Sequence, residues 1–282
     1  MKKRKSHRAP RAHPAPQPAP AAVDRAAAVF GDAFTAANDA LARHGGGPSA
    51  SVVAEVAEGA RAWLTGKVAA LGAEWGLSPV ACREGCGWCC SVPARFPVSA
   101  WPLELFALAA WLRAHRTPDE IEALRGRLRE AARRGAREGN ARERVPCPLL
   151  DGARCGAYPA RPASCVGWNA ADASACEAYA KGDDSSKCRV DPVRLFAARA
   201  VPLATAAALM RHGGPGFDQE GAGPGGFVDL STGLLAVLER GPAALEDWLA
   251  GGPVLSAATH VARGLRGAQS RALEGMARAP VE

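Results

Sequence analysis

The chain has 282 residues, of which 48% are hydrophobic and 22% are charged, with a formal net charge of +7. This length and composition are ordinary for a globular protein of one large or two small domains, and the abundance of Ala and Arg favours helices over sheets. Six basic residues precede the first acidic one, Asp24, and the rest of the chain is nearly neutral. The charge therefore predicts no basic face on the folded part, and only weak, non-specific contact between the tail and polyanions such as nucleic acid.

Residues 1–23 form a basic tail rich in Pro and Ala that has no apolar periodicity, so we expect it to be disordered. Residues 24–79 follow with two amphipathic patterns, which predict helices over 24–44 and 49–75. The first pattern stops at a run of three glycines, and the second stops at Gly76. We interpret 24–79 as an N-terminal pair of helices.

Residues 80–190 contain two stretches without helical periodicity, 82–97 and 147–165, and both are rich in Cys, Gly and Pro. Helical patterns begin near Pro102, at a capping-box sequence over Thr117–Glu120, and again over 172–181. Three prolines in 147–165 argue against any regular element there. We therefore interpret 80–190 as a domain with two irregular cysteine-rich loops.

Residues 191–282 are interpreted as a C-terminal helical region, with helices predicted over 191–212, 227–240 and 242–250, and a weaker one over 256–278. The fold class predicted for the whole chain is mostly α, a helical scaffold presenting two irregular metal-binding loops. No run of about 18 apolar residues is present, and the basic start leads into a Pro- and Ala-rich stretch. We therefore expect a cytoplasmic protein without a membrane partner.

Seven of the nine cysteines fall in the two loops, and this clustering is typical of a metal site in a reducing compartment. The C-x2-C step Cys86–Cys89 brings two thiolates to one ion, and a divalent metal takes about four such ligands. The candidate ligands are Cys82, Cys86, Cys89, Cys90, Cys147, Cys155, Cys165 and Cys176. We leave Cys188 as a spare thiol.

Eight thiols suffice for two four-thiolate centres or for one polynuclear cluster, and their spacing does not choose between zinc and iron or an iron–sulfur cluster. The side chains of Cys89 and Cys90 are adjacent and are expected to point in different directions, so that distant cysteines complete each site. Arginines within the loops could offset the thiolate charge or simply face solvent; these are Arg83, Arg95, Arg154 and Arg161.

The sequence CREGCGWCC, followed by Cys147, Cys155, Tyr158, Arg161 and Cys165, resembles the bacterial YkgJ-type cysteine-cluster proteins, also described as zinc- or iron-chelating domains with a CxxCxxCC signature. The resemblance covers about residues 80–180. It implies metal chelation by the cysteines of the two loops and implies little about a reaction, because the family takes its name from its cysteines.

The leading interpretation is a metal-binding protein that is not necessarily an enzyme, with no catalytic residue assigned and no protein partner indicated. One alternative is a redox or iron–sulfur-dependent enzyme that uses a labile thiol such as Cys90. A second is a zinc module that associates with nucleic acid, which rests on the basic tail alone. We also expect bound metal to contribute to folding, because the two loops lack an apolar core of their own.

Overall fold

The computed structural model describes residues 20–45, 48–91, 98–137, 146–182, 191–214 and 228–256. Within these ranges the chain is mostly α, as predicted from the sequence, with two pairs of very short antiparallel strands. The elements are α1 (Pro20–Arg43), α2 (Ala50–Glu74), α3 (Trp88–Ser91), β1 (Ser99–Ala100), α4 (Pro102–His115), α5 (Pro118–Arg137), β2 (Leu150–Asp151), β3 (Arg154–Cys155), a 3-10 helix (Tyr158–Ala160), α6 (Ala163–Val166), α7 (Ala173–Ala180), α8 (Pro192–Arg211), β4 (Val228–Asp229), α9 (Leu230–Arg240) and α10 (Ala244–Leu249).

The two N-terminal helices form where the apolar periodicity predicts them. Helix α1 begins at Pro20, inside the segment expected to be a tail, and it buries Phe30, Phe34 and Leu41 while packing along α8. Helix α2 begins after Ser49, whose hydroxyl accepts a hydrogen bond from the Val52 amide and so satisfies one unpaired donor of the first turn. The remainder of the predicted tail, residues 1–19, lies outside the described residues.

Helix α8 is the central element, because it packs against α1, α2, α4 and α6. Asp191 caps its first turn by accepting from the amides of Val193 and Arg194. Residues 193–211 are long and apolar enough to cross a membrane by length and composition, although no uniformly apolar run was found in the sequence; 83% of this stretch is buried inside the protein. A mostly buried helix in the core of a protein meets the same criteria of length and composition.

Helices α4, α5 and α9 pack together on one side of the molecule. The predicted capping box at the start of α5 is present, since the Thr117 hydroxyl accepts from the Glu120 amide and the Glu120 carboxylate accepts from the Thr117 amide. Strands β1 and β4 pair Ser99 with Asp229, which places the starts of α4 and α9 side by side.

The second cysteine stretch contains short regular elements, where the sequence analysis predicted none. A tight turn at Gly152, with φ of 59°, joins β2 to β3, and a 3-10 helix and α6 follow. Leu149, Ala160 and Ala163 from this stretch are buried in the same hydrophobic cluster as the scaffold helices. The prolines separate these elements, and the scaffold supplies the apolar surface that the stretch lacks by itself.

The weak C-terminal helix predicted over 256–278 lies outside the described residues, which end at residue 256.

Candidate metal centre

The two cysteine-rich stretches meet through their backbones. The amide of Cys147 donates a hydrogen bond of 2.8 Å to the carbonyl oxygen of Cys90. Gly87 lies directly against the β2–β3 turn, where a Cβ atom would come within 2.2 Å of the Ala153 carbonyl oxygen. Glycine is therefore required at position 87 for the stretches to approach this closely.

The first stretch ends in the short helix α3, which carries the adjacent cysteines Cys89 and Cys90. Their sulfurs lie 3.9 Å apart. Two thiolates that share one tetrahedral zinc ion at Zn–S distances of about 2.3 Å are separated by about 3.8 Å. The expectation that these neighbouring side chains diverge is therefore wrong, and their spacing suits a single ion.

The second stretch is held to the scaffold by arginine side chains that donate to its carbonyl oxygens. Arg127 Nε donates to Pro148 at 2.9 Å, and Arg116 Nη2 donates to Gly156 at 2.7 Å. Arg61 on α2 donates to the carbonyl oxygen of Pro159. The first two carbonyls follow Cys147 and Cys155 directly, so these arginines fix the backbone beside two candidate ligands.

Burial and neighbouring thiols together raise the pKa values of the cysteines in the second stretch. Burial raises the pKa of Cys147 to about 11, and the charges of Cys155 and Cys89 add to the effect. Burial likewise raises the pKa of Cys165 well above its ordinary value, with contributions from Cys147, Cys155 and Cys89. Burial also raises the pKa of Cys155. The thiols of the two stretches are thus close enough to act on one another electrostatically.

The pKa values of the adjacent pair move in opposite directions. The pKa of Cys89 falls to about 7, chiefly because its sulfur accepts a hydrogen bond from the Cys90 thiol. The pKa of Cys90 rises, chiefly because this thiol keeps its proton in that bond, and Cys147 and Cys165 reinforce the shift. Cys89 is also solvent-exposed. Exposure and a lowered pKa are the properties that favour a labile thiol, and here Cys89 has both, whereas the sequence analysis named Cys90 as an example.

Arg161 is an arginine of the second stretch whose charge reaches the thiols. It lowers the pKa values of Cys89, Cys155 and Cys165, partly opposing the effect of burial. Its guanidinium lies 3.6 Å from the centroid of the Tyr158 ring, and its Nε donates to the Tyr158 carbonyl oxygen. The suggestion that loop arginines offset thiolate charge thus applies to Arg161, whereas Arg95 lies outside the described residues.

The other candidate ligands occupy three different places. The sulfur of Cys82 accepts a hydrogen bond of 3.3 Å from the Ala170 amide. Cys86 is partly buried in the turn that precedes α3, and Cys176 is buried in α7, which packs against α3. Cys188 lies outside the described residues. Thiol charges act on one another among Cys89, Cys90, Cys147, Cys155 and Cys165.

Two carboxyl groups near the thiols were missed by the sequence analysis. Asp229 caps α9 by accepting from the Thr232 amide, burial raises its pKa, and its charge acts on Cys147. Glu104 lies in the first turn of α4 and accepts a hydrogen bond from the Ala163 amide at the start of α6. Both have the sequence signature of ordinary helix capping, and only their helix-start positions could have drawn attention to them.

In the described part of the chain, no group of three or more Cys, His, Asp or Glu side chains meets the geometry of a metal site. The thiols are neighbours, but their sulfurs do not surround a common point at ligand distances.

Comparison with known families gives a match that covers both cysteine-rich stretches. Residues 81–194 match the family model named CxxCxxCC, whose description is "putative zinc- or iron-chelating domain". Residues 81–194 are thus similar to the CxxCxxCC family. Neither the curated proteins nor the solved structures give a significant match to the chain. The CxxCxxCC match begins just before Cys82 and ends in the first turn of α8, so it includes all eight candidate ligands.

Proposed function

We propose that the protein chelates zinc or iron through the thiols that act on one another at the junction of the two stretches. These are Cys89, Cys90, Cys147, Cys155 and Cys165. The hydrogen bond from the Cys147 amide to the Cys90 carbonyl oxygen carries the proposal, because it joins ligands that are far apart in sequence. The CxxCxxCC family match independently supports a zinc- or iron-chelating role.

The raised pKa values of these thiols predict that a bound cation replaces their protons. Cys90, Cys147, Cys155 and Cys165 all have raised pKa values and stay protonated at neutral pH when no cation is near. A divalent ion among them stabilises the thiolate forms and releases protons as it binds. Binding must also draw the sulfurs inward, because no three of them yet form a closed ligand set in the described chain.

Five thiols are enough for a four-thiolate zinc or iron site or for an iron–sulfur cluster. Cys82, Cys86 and Cys176 remain predicted ligands, either of the same centre or of a second one. A reducing compartment such as the cytoplasm keeps such thiols available, and we propose that location.

Metal analysis of protein purified without oxygen tests the proposal. We expect at least one equivalent of zinc or iron per chain by elemental analysis, and the visible absorption spectrum separates colourless zinc protein from brown iron–sulfur protein. Single changes Cys90→Ser and Cys165→Ser should each lower the metal content, because each removes a thiolate from one side of the junction.

The matched control is Cys188→Ser, which removes the thiol that we assign to no centre and should leave the metal content unchanged. Wild-type protein without bound metal after anaerobic purification and reconstitution would contradict the proposal. Unaltered stoichiometry in both Cys90→Ser and Cys165→Ser would contradict it as well.

A redox role is a second candidate, and one observation favours it. Cys89 is exposed, its pKa is lowered to about 7, and its sulfur lies 3.9 Å from a second thiol. Such a pair suits thiol–disulfide exchange with a disulfide substrate. Each cycle would reduce the substrate disulfide and oxidise Cys89 and Cys90 to a disulfide, which an added dithiol must reduce again. With that reductant present, turnover of a small disulfide that is lost in both Cys89→Ser and Cys90→Ser would support this role, and turnover retained in both variants would eliminate it.

A further inference from the structure

Glu104 connects the helical scaffold to the segment that carries Cys165. One of its carboxyl oxygens, Oε2, accepts a hydrogen bond of 2.9 Å from the Trp101 amide at the start of α4. The other oxygen, Oε1, accepts from the Ala163 amide, which belongs to the second cysteine stretch. A single side chain therefore caps its own helix and reaches across to another element.

The contact with Ala163 bears directly on Cys165. Ala163 is the first residue of α6, and Cys165 is the third. The first amides of a helix have no partner within the helix, so an acceptor from outside determines how firmly this end is held. At the other end of α6, Gly167 packs so tightly on α8 that a Cβ atom there would lie 2.6 Å from the Ala198 Cβ. The four-residue helix is thus fixed at both ends.

Arg199 on α8 adds a charge that links Glu104 to the thiol. Its guanidinium is buried, and it interacts electrostatically with both Glu104 and Cys165. Burial raises the pKa of Glu104 to about 7, while its two backbone donors and Arg199 favour the ionised form. The charge of Arg199 on α8 therefore acts on both the Glu104 carboxyl group on α4 and the Cys165 thiol on α6.

The cavity beside Glu104 is too small for this carboxyl group to bind an organic ligand there. Its lining includes Arg61, Arg161 and Thr205, but its volume is only about 30 Å³. A space of this size holds about one or two water molecules and not an organic ligand. The carboxyl group is therefore placed to bind the chain itself.

We propose that Glu104 is a positioning residue that holds α6, and with it Cys165, in the place required for metal binding. This inference rests on the proposed function, in which Cys165 is a ligand. Glu104 need not touch the metal; it orients a ligand through the Ala163 amide, in the way that groups outside the ligand set orient metal ligands in other proteins.

The test uses the full-length reduced protein and two readouts. In metal-free protein, alkylation by iodoacetamide is followed at each cysteine by mass spectrometry, and the rate at Cys165 is divided by the rate at the buried Cys176. We expect Glu104→Ala to raise this ratio by about tenfold, because loss of a hydrogen bond to a charged group frees α6 locally. In loaded protein, competition with a chelator should show about tenfold weaker metal binding.

Two variants distinguish positioning from general destabilisation. Glu104→Gln keeps the size and one acceptor oxygen, so its ratio should fall between those of wild type and Glu104→Ala. Glu122→Ala removes an exposed carboxylate that pairs with Arg125 and Arg129 on α5, and it should leave the ratio unchanged.

An unchanged ratio in Glu104→Ala, an equal rise in Glu122→Ala, or a Gln variant as labile as the Ala variant would overturn the inference. Failure of the wild-type protein to bind zinc or iron would instead overturn the proposed function. The labelling ratio needs no metal and still decides the role of Glu104 in that case.

Discussion

At the scale of single residues, Glu104 holds α6, but its buried carboxyl group also lowers the stability of the fold at neutral pH. Burial raises its pKa from 4.5 to about 7, so folding disfavours the ionised carboxyl group at neutral pH. The contribution of Glu104 to stability is fully present below the unfolded-state pKa of 4.5 and is lost as pH rises through about 7.

This pKa shift predicts a pH-dependent difference between wild type and Glu104→Gln. Glutamine does not titrate, so its variant lacks the loss of stability that wild type shows between pH 4.5 and about 7. We expect the free energy of unfolding of wild type to fall relative to the variant by up to about 3 kcal/mol over this range. Urea unfolding at a series of pH values measures the difference, and parallel curves for the two proteins would contradict the prediction.

The candidate metal ligands could be predicted from the sequence, whereas Glu104 and Asp229 beside them could not. Cysteines in Gly- and Pro-rich stretches stand out because buried structural cysteines usually lie on helix faces instead. The 3.9 Å spacing of the Cys89 and Cys90 sulfurs was not predictable, because it depends on side-chain torsions within α3. Glu104 and Asp229 look like helix caps, and their second contacts are with residues far away in sequence.

At the scale of elements, the approach of the two stretches depends on Gly87. In Gly87→Ala the new methyl group would lie 2.2 Å from a backbone carbonyl oxygen, so the β2–β3 turn must move away from the first stretch. We expect metal affinity to fall by about tenfold and stability to fall by about 1–3 kcal/mol. Chelator competition and urea unfolding measure the two effects.

The matched control is Gly59→Ala, at a glycine in α2 where an added methyl group would have no other atom within 4 Å. Alanine favours helix over glycine, so this variant should gain about 0.5–1 kcal/mol with unchanged metal affinity. Equal metal affinity in the Gly87 and Gly59 variants would show that the close approach at position 87 does not matter for binding.

The long helices were predictable from the sequence and the short elements were not. Helices α1, α2 and α5 show apolar periodicity over many turns, and α8 is apolar over most of its length. The caps at Ser49, Thr117 and Asp191 lie at the starts of α2, α5 and α8. By contrast, α6 and the β2–β3 pair are too short for a pattern to accumulate. The backbone beside these short elements is held from other parts of the chain, because Arg61, Arg116 and Arg127 donate to the carbonyl oxygens of Pro159, Gly156 and Pro148.

At the scale of the whole molecule, most of the core does not involve the cysteines. Helices α1, α2, α4, α8 and α9 bury their apolar faces against one another in one cluster. Removal of metal by a chelator should therefore lower the melting temperature but preserve most of the circular dichroism signal at 222 nm. A cooperative loss of the helical signal on chelation would show instead that the whole fold depends on the ion.

The contact between Cys90 and Cys147 has a consequence for the unfolded chain. Residues 91–146, with all of α4 and α5, lie between these two cysteines in sequence. An ion held by both acts as a reversible cross-link that closes this long loop, as a disulfide would. In the chain-entropy treatment of cross-links, closure of a loop of this length raises the free energy of the denatured ensemble by about 4 kcal/mol. A cation bound by both cysteines therefore also stabilises the folded arrangement of α4 and α5, although it contacts neither helix.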